Sequence, residues 1–259
     1  MRTSASRRAE PAERLQKVLA QLGLASRREA EAWIRAGRLT INGERATLGV
    51  RVAPGDEVRL DGRVVRRHEA LQLAVFLCHR SPGEPLGRPH EEPGAAAMMS
   101  RLPARSGRRF IAVSPMPRSD GGLEILTSDG ELAVKLQRAA RHLASEFSVR
   151  VRGELSDAQR EGILSGILDR GTALLVDSCE SAGGEGANRW YSLSARGGSG
   201  KDVRQLFERQ AVLVSRVLRT RLGPLTLERN LARGQFRKLT ADETQALSAA
   251  TADSRSSSQ

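Results

Sequence analysis

The stretch from Ser26 to Gly43 constrains the fold most, because three kinds of structural punctuation fall inside it. Ser26 followed by Glu29 is a capping box and sets a helix start. Ala30, Trp33 and Ile34 then recur at helical spacing, and Gly37 supplies the stop. Leu39-Thr40-Ile41 runs directly into Asn42-Gly43, the dipeptide suited to a two-residue hairpin turn. So closely punctuated a segment has room for a short helix and a short strand, and excludes a long helix or a wide sheet.

The flanking residues extend the same pattern. Upstream, Leu15, Val18, Leu19 and Leu22 form one apolar stripe ending at Gly23, which predicts a first short helix packed on the second. Downstream, Val50 to Val52, Pro54-Gly55, Val58 to Leu60 and Asp61-Gly62 read as short strands joined by tight turns. Residues 13–66 are therefore expected to form a small α+β unit. Residues 1–12 and the Ser/Ala-rich tail 244–259 are too poor in apolar residues to pack and are expected to be disordered, with a linker at 67–70.

From Leu71 the alternations lengthen. Leu71 to Cys78 is a nearly continuous apolar run, as for a strand covered on both faces. His79 to Arg109 is rich in Pro, Gly and Arg and reads as a long loop region, with a helical turn at Ala95 to Met99. Capping boxes at Ser128 with Glu131 and at Ser156 with Gln159 start two helices, and Lys201 to Gln210 forms another with Val203, Leu206 and Phe207 inward. Strands are expected at Phe147 to Val151, Trp190 to Leu193 and Val212 to Leu218. A second domain over 71–243 follows, with a mixed, mainly antiparallel sheet flanked by helices.

Charge points to a partner class. Lys and Arg number 42 against 30 Asp and Glu, a formal net charge of +12 with a sequence pI near 11.1, which suits a polyanion such as RNA. A chain that is merely basic throughout would show the same balance. Cys78 and Cys179 lack a Cys-x-x-Cys spacing, and His68, His79, His90 and His142 lack metal-ligand spacing, so no metal is expected. No apolar run approaches the ~20 residues that span a bilayer. The region before Arg14 has no signal-like apolar segment, and a cytoplasmic location is expected.

Arg14-Leu15-Gln16-Lys17-Val18-Leu19, Ser26-Arg27-Arg28-Glu29-Ala30, Gly37-Arg38 and Asn42-Gly43 resemble the S-four (alpha-L) RNA-binding domain. The resemblance implies an RNA-facing surface at Lys17, Ser26, Arg27, Arg28, Arg35, Arg38 and Asn42. A helix N-terminus with clustered guanidinium groups suits phosphate. The alternative is that Ser26 and Glu29 only cap the helix while the arginines are solvated.

Thr127-Ser128-Asp129-Gly130-Glu131-Leu132-Ala133, Glu146-Phe147-Ser148-Val149-Arg150-Val151, Gly183 to Tyr191, Val214-Ser215-Arg216 onward to Gly223, and Gly234 to Thr240 resemble the bacterial ribosomal-RNA pseudouridine synthases, nearest their large-subunit branch. The resemblance implies ribosomal RNA as partner and isomerisation of a flipped uridine by one aspartate without cofactor or metal, and a monomer is expected. That aspartate sits in a Gly-Arg-Leu-Asp loop five residues before a Gly-Leu pair. Counted back from Gly122-Leu123, its position is Pro117, and the loop reads Ser114-Pro115-Met116-Pro117-Arg118-Ser119-Asp120. His79-Arg80-Ser81 replaces Asn-Lys-Pro, Phe147 replaces the active-site tyrosine, and Gly198-Ser199-Gly200-Lys201 replaces Gly-Arg-Asn-Arg. Phe147, Lys201 and Arg204 are the expected pocket residues, Phe147 as a stacking surface.

Two functions follow: an RNA binder that retains the scaffold without catalysis, favoured because the aspartate's register is lost, and an isomerase using a displaced Asp120. The second needs Asp120 at the pocket mouth facing Lys201 or Arg204; as a plain alternative, Asp120-Gly121 is a turn. Gly197-Gly198-Ser199-Gly200-Lys201 satisfies neither a phosphate loop nor a nucleophile elbow. Arg216, Arg219 and Arg221 read either as phosphate contacts or as a solvated sheet edge.

Overall fold

The computed structural model describes residues 12–65, 74–87, 97–103, 109–169 and 172–249 of the chain. The expected linker at 67–70, the start of the strand at Leu71, most of the expected N-terminal tail and parts of the His79 to Arg109 region lie outside these residues. The chain divides into two compact units, the first holding residues 12–65 with Arg109 and the second the remaining described residues.

The first unit comprises β1 (Glu13–Arg14), α1 (Leu15–Gln21), α2 (Arg27–Arg35), β2 (Leu39–Ile41), β3 (Glu44–Arg45), β4 (Arg51–Val52), β5 (Val58–Leu60) and β6 (Arg63–Val64). Both halves of the capping box at Ser26 form, and Gly37 follows α2 with φ +70°, where a side chain would be strained. Strands β3, β2, β5 and β6 make one antiparallel sheet and β1 pairs with β4. Leu15 and Leu19 of α1 and Ala30 and Ile34 of α2 bury against Leu39, Val52 and Val58.

The second unit comprises β7 (Val75–Arg80), β8 (Ile111–Ala112), β9 (Gly121–Thr127), α3 (Gly130–Ala140), β10 (Ala144–Arg152), α4 (Asp157–Leu164), β11 (Leu175–Ser181), β12 (Asn188–Arg196), α5 (Gly200–Glu208), β13 (Val214–Leu222), β14 (Leu225–Thr226), β15 (Phe236–Lys238) and α6 (Ala241–Ala249), with a 3-10 turn at Met98–Arg101. Its nine strands form one mixed sheet in the order β11-β12-β10-β13-β9-β7-β15, with β8 and β14 paired at its flanks. Only β13 and β9 run parallel; every other pair is antiparallel.

Two cores lie on this sheet. Phe147, Val149 and Val151 of β10 bury against Ile163 of α4 and Val203, Leu206 and Phe207 of α5. Val75, Leu77, Leu123 and Ile125 bury against Leu136 of α3 and Leu247 of α6. No helix among the described residues is long and apolar enough to cross a membrane.

Two expectations are corrected. Helix α3 is capped by Asp129, whose Oδ1 accepts from the Glu131 and Leu132 N–H groups, whereas the Ser128 hydroxyl accepts from Ala74 N on a neighbouring segment. The tail placed at Thr244 instead continues as α6 through Ala249. Thr240 and Glu243 cap that helix reciprocally, and Leu247 is fully buried, which anchors a segment otherwise poor in apolar residues.

Candidate functional site

The segment between β8 and β9 carries the candidate catalytic loop, and two buried arginines fix its backbone. Arg80, 1% exposed at the end of β7, donates from Nη2 to the carbonyls of Met116 and Pro117 at 2.9 and 2.8 Å, and from Nη1 to Glu84 O at 2.9 Å. Arg219, also 1% exposed, donates to Ser114 O at 2.7 Å and to Leu123 O at 2.9 and 2.7 Å. Between them sits Glu124, with no exposure. Its Oε1 accepts from Arg80 Nε and Met116 N, both at 3.0 Å, and its Oε2 from Arg219 Nη2 at 3.3 Å.

Burial pushes the Glu124 carboxyl up from the ordinary range and the Arg219 guanidinium down, against their mutual attraction. Such groups are stable in an interior only when paired and hydrogen-bonded, and here the loop carbonyls complete the satisfaction. Arg219 is thus neither a phosphate contact nor a solvated edge residue: β13 lies inside the sheet, between β10 and β9. Close packing explains the rest of the geometry. Gly122 pairs with Arg219 across the parallel junction at φ +91°, and a Cβ there would lie 2.2 Å from Arg219 O. A Cβ on Gly200 would lie 2.4 Å from Met116 Cε and 3.0 Å from Pro117 Cδ, so the loop seats on the first turn of α5.

Asp120 faces Arg204, as the isomerase reading requires, but it has no exposure. Its Oδ1 accepts from Arg204 Nη2 at 2.5 Å and from Val217 N at 2.9 Å, and its Oδ2 from Arg204 Nε at 3.2 Å and the Ser119 hydroxyl at 3.3 Å. Arg204 also holds Val214 O at 2.9 Å, and its bond to Asp120 raises its affinity for the proton. The pair ties the β9 entry to α5 and β13. Asp120 N closes a turn on Pro117 O at 3.0 Å.

Phe147, expected to offer a stacking surface, has no exposure and packs with Met116 and Phe207 in the core, so a base has no access to its ring. Lys201 is exposed on α5, whose N-cap Ser199 forms a capping box with Asp202. Thus Asp120 and Arg204 come together, while Phe147 is buried in the core. The thiols are protonated at neutral pH: burial raises Cys179 to about 11 and Cys78 further.

In the first unit the expected RNA contacts divide by what they already touch. Ser26 caps α2, Lys17 pairs with Glu13 at 2.7 Å and Arg35 with Glu31 at 3.8 Å. Arg38 grips Asp61 through two nitrogens and lies 5.1 Å from the centre of the Trp33 ring; that bond raises the Arg38 pKa and lowers that of Asp61. The Asn42 amide bridges Asp56 and Glu57 N, each at 2.9 Å, within its own turn. Arg27 and Arg28 are exposed and make no ion pair or hydrogen bond among the described residues.

Residues 13–58 match the family model described as S4 domain. The chain is 39% identical over 239 residues to ribosomal large subunit pseudouridine synthase B of Pseudomonas aeruginosa, covering 91% of this chain and 62% of that protein. It is 38% identical over 236 residues to the protein of the same name from Shigella flexneri, covering 90% of this chain and 81% of that protein. The chain belongs to the pseudouridine synthase family. A solved pseudouridylate synthase shares the fold, with a TM-score of 0.58 at 20% identity over 91% of this chain and 99% of that one. Within this family fold, the pairing of Glu124 with Arg80 and Arg219 escaped sequence reasoning. The one signal was a carboxylate inside the apolar run Leu123-Glu124-Ile125-Leu126 of a central strand.

Proposed function

We propose that this chain binds ribosomal RNA on the pseudouridine synthase scaffold without carrying out the uridine isomerisation. The observation that carries this reading is the loop from Ser114 to Asp120. The family register sets Pro117 at the aspartate position, and the backbone there points its carbonyl at Arg80. Proline has no nucleophile, and loss of a covalent nucleophile typically costs on the order of 10⁴ to 10⁶ in rate.

Asp120 is a poor substitute. Both its oxygens accept two hydrogen bonds, and it is closed to solvent, so attack on a ribose or uracil carbon requires breaking the Arg204 grip and rebuilding the turn. The positive charge and the S4 unit support RNA binding, with Arg27 and Arg28 as phosphate contacts. The same reading takes the chain as a cytoplasmic monomer that needs no metal or cofactor.

Pseudouridine mapping of ribosomal RNA from cells with and without the protein tests this, repeated with Asp120→Asn. Unchanged maps, together with RNA binding by the purified chain, are expected. A site lost in both the deletion and the variant would overturn the reading and install Asp120 as the nucleophile.

A further inference from the structure

Strands alternate their side chains between faces, and in β10 Phe147, Val149 and Val151 fill the core under α4 and α5. Ser148, Arg150 and Arg152 therefore point the other way. Cross-strand register extends that face: Arg150 stands opposite Trp190 of β12 and Arg216 of β13, and Ser148 opposite Ser192 and Leu218. None of these residues belongs to any core cluster among the described residues.

The central row, Trp190-Arg150-Arg216, is unusual for a sheet. Two guanidinium groups directly opposite one another on antiparallel strands repel. Neither has an acidic partner among the described residues, whereas Arg221 on the same strand pairs with Glu146 at 2.9 Å and Arg196 with Asp177 at 3.3 Å. The Arg150 guanidinium instead lies 6.0 Å from the centre of the Trp190 ring. Ser148 and Ser192 stand beside Arg150 and Trp190 in the next row, so on that side the ring and the Arg150 guanidinium meet small side chains.

We propose that this open face docks a single-stranded RNA segment, with Arg150 and Arg216 on successive phosphates and Trp190 stacked on a base. A phosphate against each arginine offsets their mutual repulsion, and aromatic stacking tolerates any base. The surface is on the opposite side of the sheet from the Pro117 loop, and the inference rests on RNA being the partner.

The test measures binding of the full chain to a fluorescent 20-nucleotide oligouridine across a salt series. Arg150→Ala with Arg216→Ala is expected to lower the salt slope by about 1.4, at about 0.7 per phosphate contact on a single strand. Trp190→Ala is expected to weaken binding about 10-fold, and Trp190→Phe to restore most of it. Circular dichroism keeps misfolded variants out of the comparison. If Arg27→Ala with Arg28→Ala weakens binding while the sheet variants bind as the parent does, RNA binding stands and this surface falls. If Trp190→Phe binds as poorly as Trp190→Ala, stacking is excluded. If the parent chain binds no RNA, both readings fail.

Discussion

Glu124 shows how one side chain can determine the state of a whole loop. Its carboxylate lies between two guanidinium groups, so removing its charge leaves two cations without counter-charge in a buried site. Breaking a buried pair in this way costs roughly 3 to 5 kcal/mol. Glu124→Gln, which preserves shape and removes charge, is expected to lower the unfolding free energy by about that amount in urea denaturation of the full chain. Replacing all three charged residues by apolar ones, often neutral elsewhere, is not neutral here. Arg80 and Arg219 also serve the carbonyls of Ser114, Met116, Pro117 and Leu123, which would lose their donors.

Among the elements, those with local signals are the ones the sequence predicts well. Helices α2 and α4 begin at capping boxes, and the β2–β3 hairpin turns at Asn42-Gly43, because each signal lies within a few residues of what it specifies. The Arg80, Glu124 and Arg219 network was not legible, since its partners stand 44 and 95 residues apart and only the sheet order brings them together. Phe147 was assigned to the pocket because its sequence neighbours resemble the family's, whereas its burial depends on α5 packing over β10. Helix α6 is a third case, with one buried apolar anchor and an ion pair in place of an apolar stripe. Arg237 binds Glu243 at 2.7 and 2.9 Å, which with the Thr240 N–H holds the carboxyl down at about 2 against a usual 4.5. A depressed folded pKa adds stability that is present above pH 4.5 and lost as pH falls toward 2. Glu243→Gln is expected to flatten that part of the stability curve for α6, read by amide exchange of the helix between pH 5 and pH 2. At the β9–β13 junction the atoms nearest Gly122 are backbone of the adjacent strand, which cannot swing aside. Gly122→Ala is expected to cost about 3 kcal/mol or more, measured as a lower urea midpoint.

For the whole molecule, the net charge of +12 overstates the cations available to a partner, because many arginines are committed internally. Arg80 and Arg219 are buried, Arg204 holds Asp120, and Arg38 holds Asp61 while stacked near Trp33. Arg27 and Arg28 are different: they extend from the first turn of α2, where the helix dipole already favours an anion. Phosphate contacts release condensed counterions, so affinity for RNA is expected to fall steeply between 50 and 200 mM salt. Arg27→Ala with Arg28→Ala should lower the salt slope by about 1.4 on single-stranded RNA, since each lost contact removes about 0.7. Arg38→Ala removes the same kind of charge, but one already neutralised by Asp61, and should lower thermal stability while leaving the slope close to that of the parent. Fluorescence titrations of the two variants side by side decide the matter: an equal slope loss per charge removed would mean that total charge attracts the RNA, and a loss confined to the Arg27 and Arg28 variant would mean that a surface does.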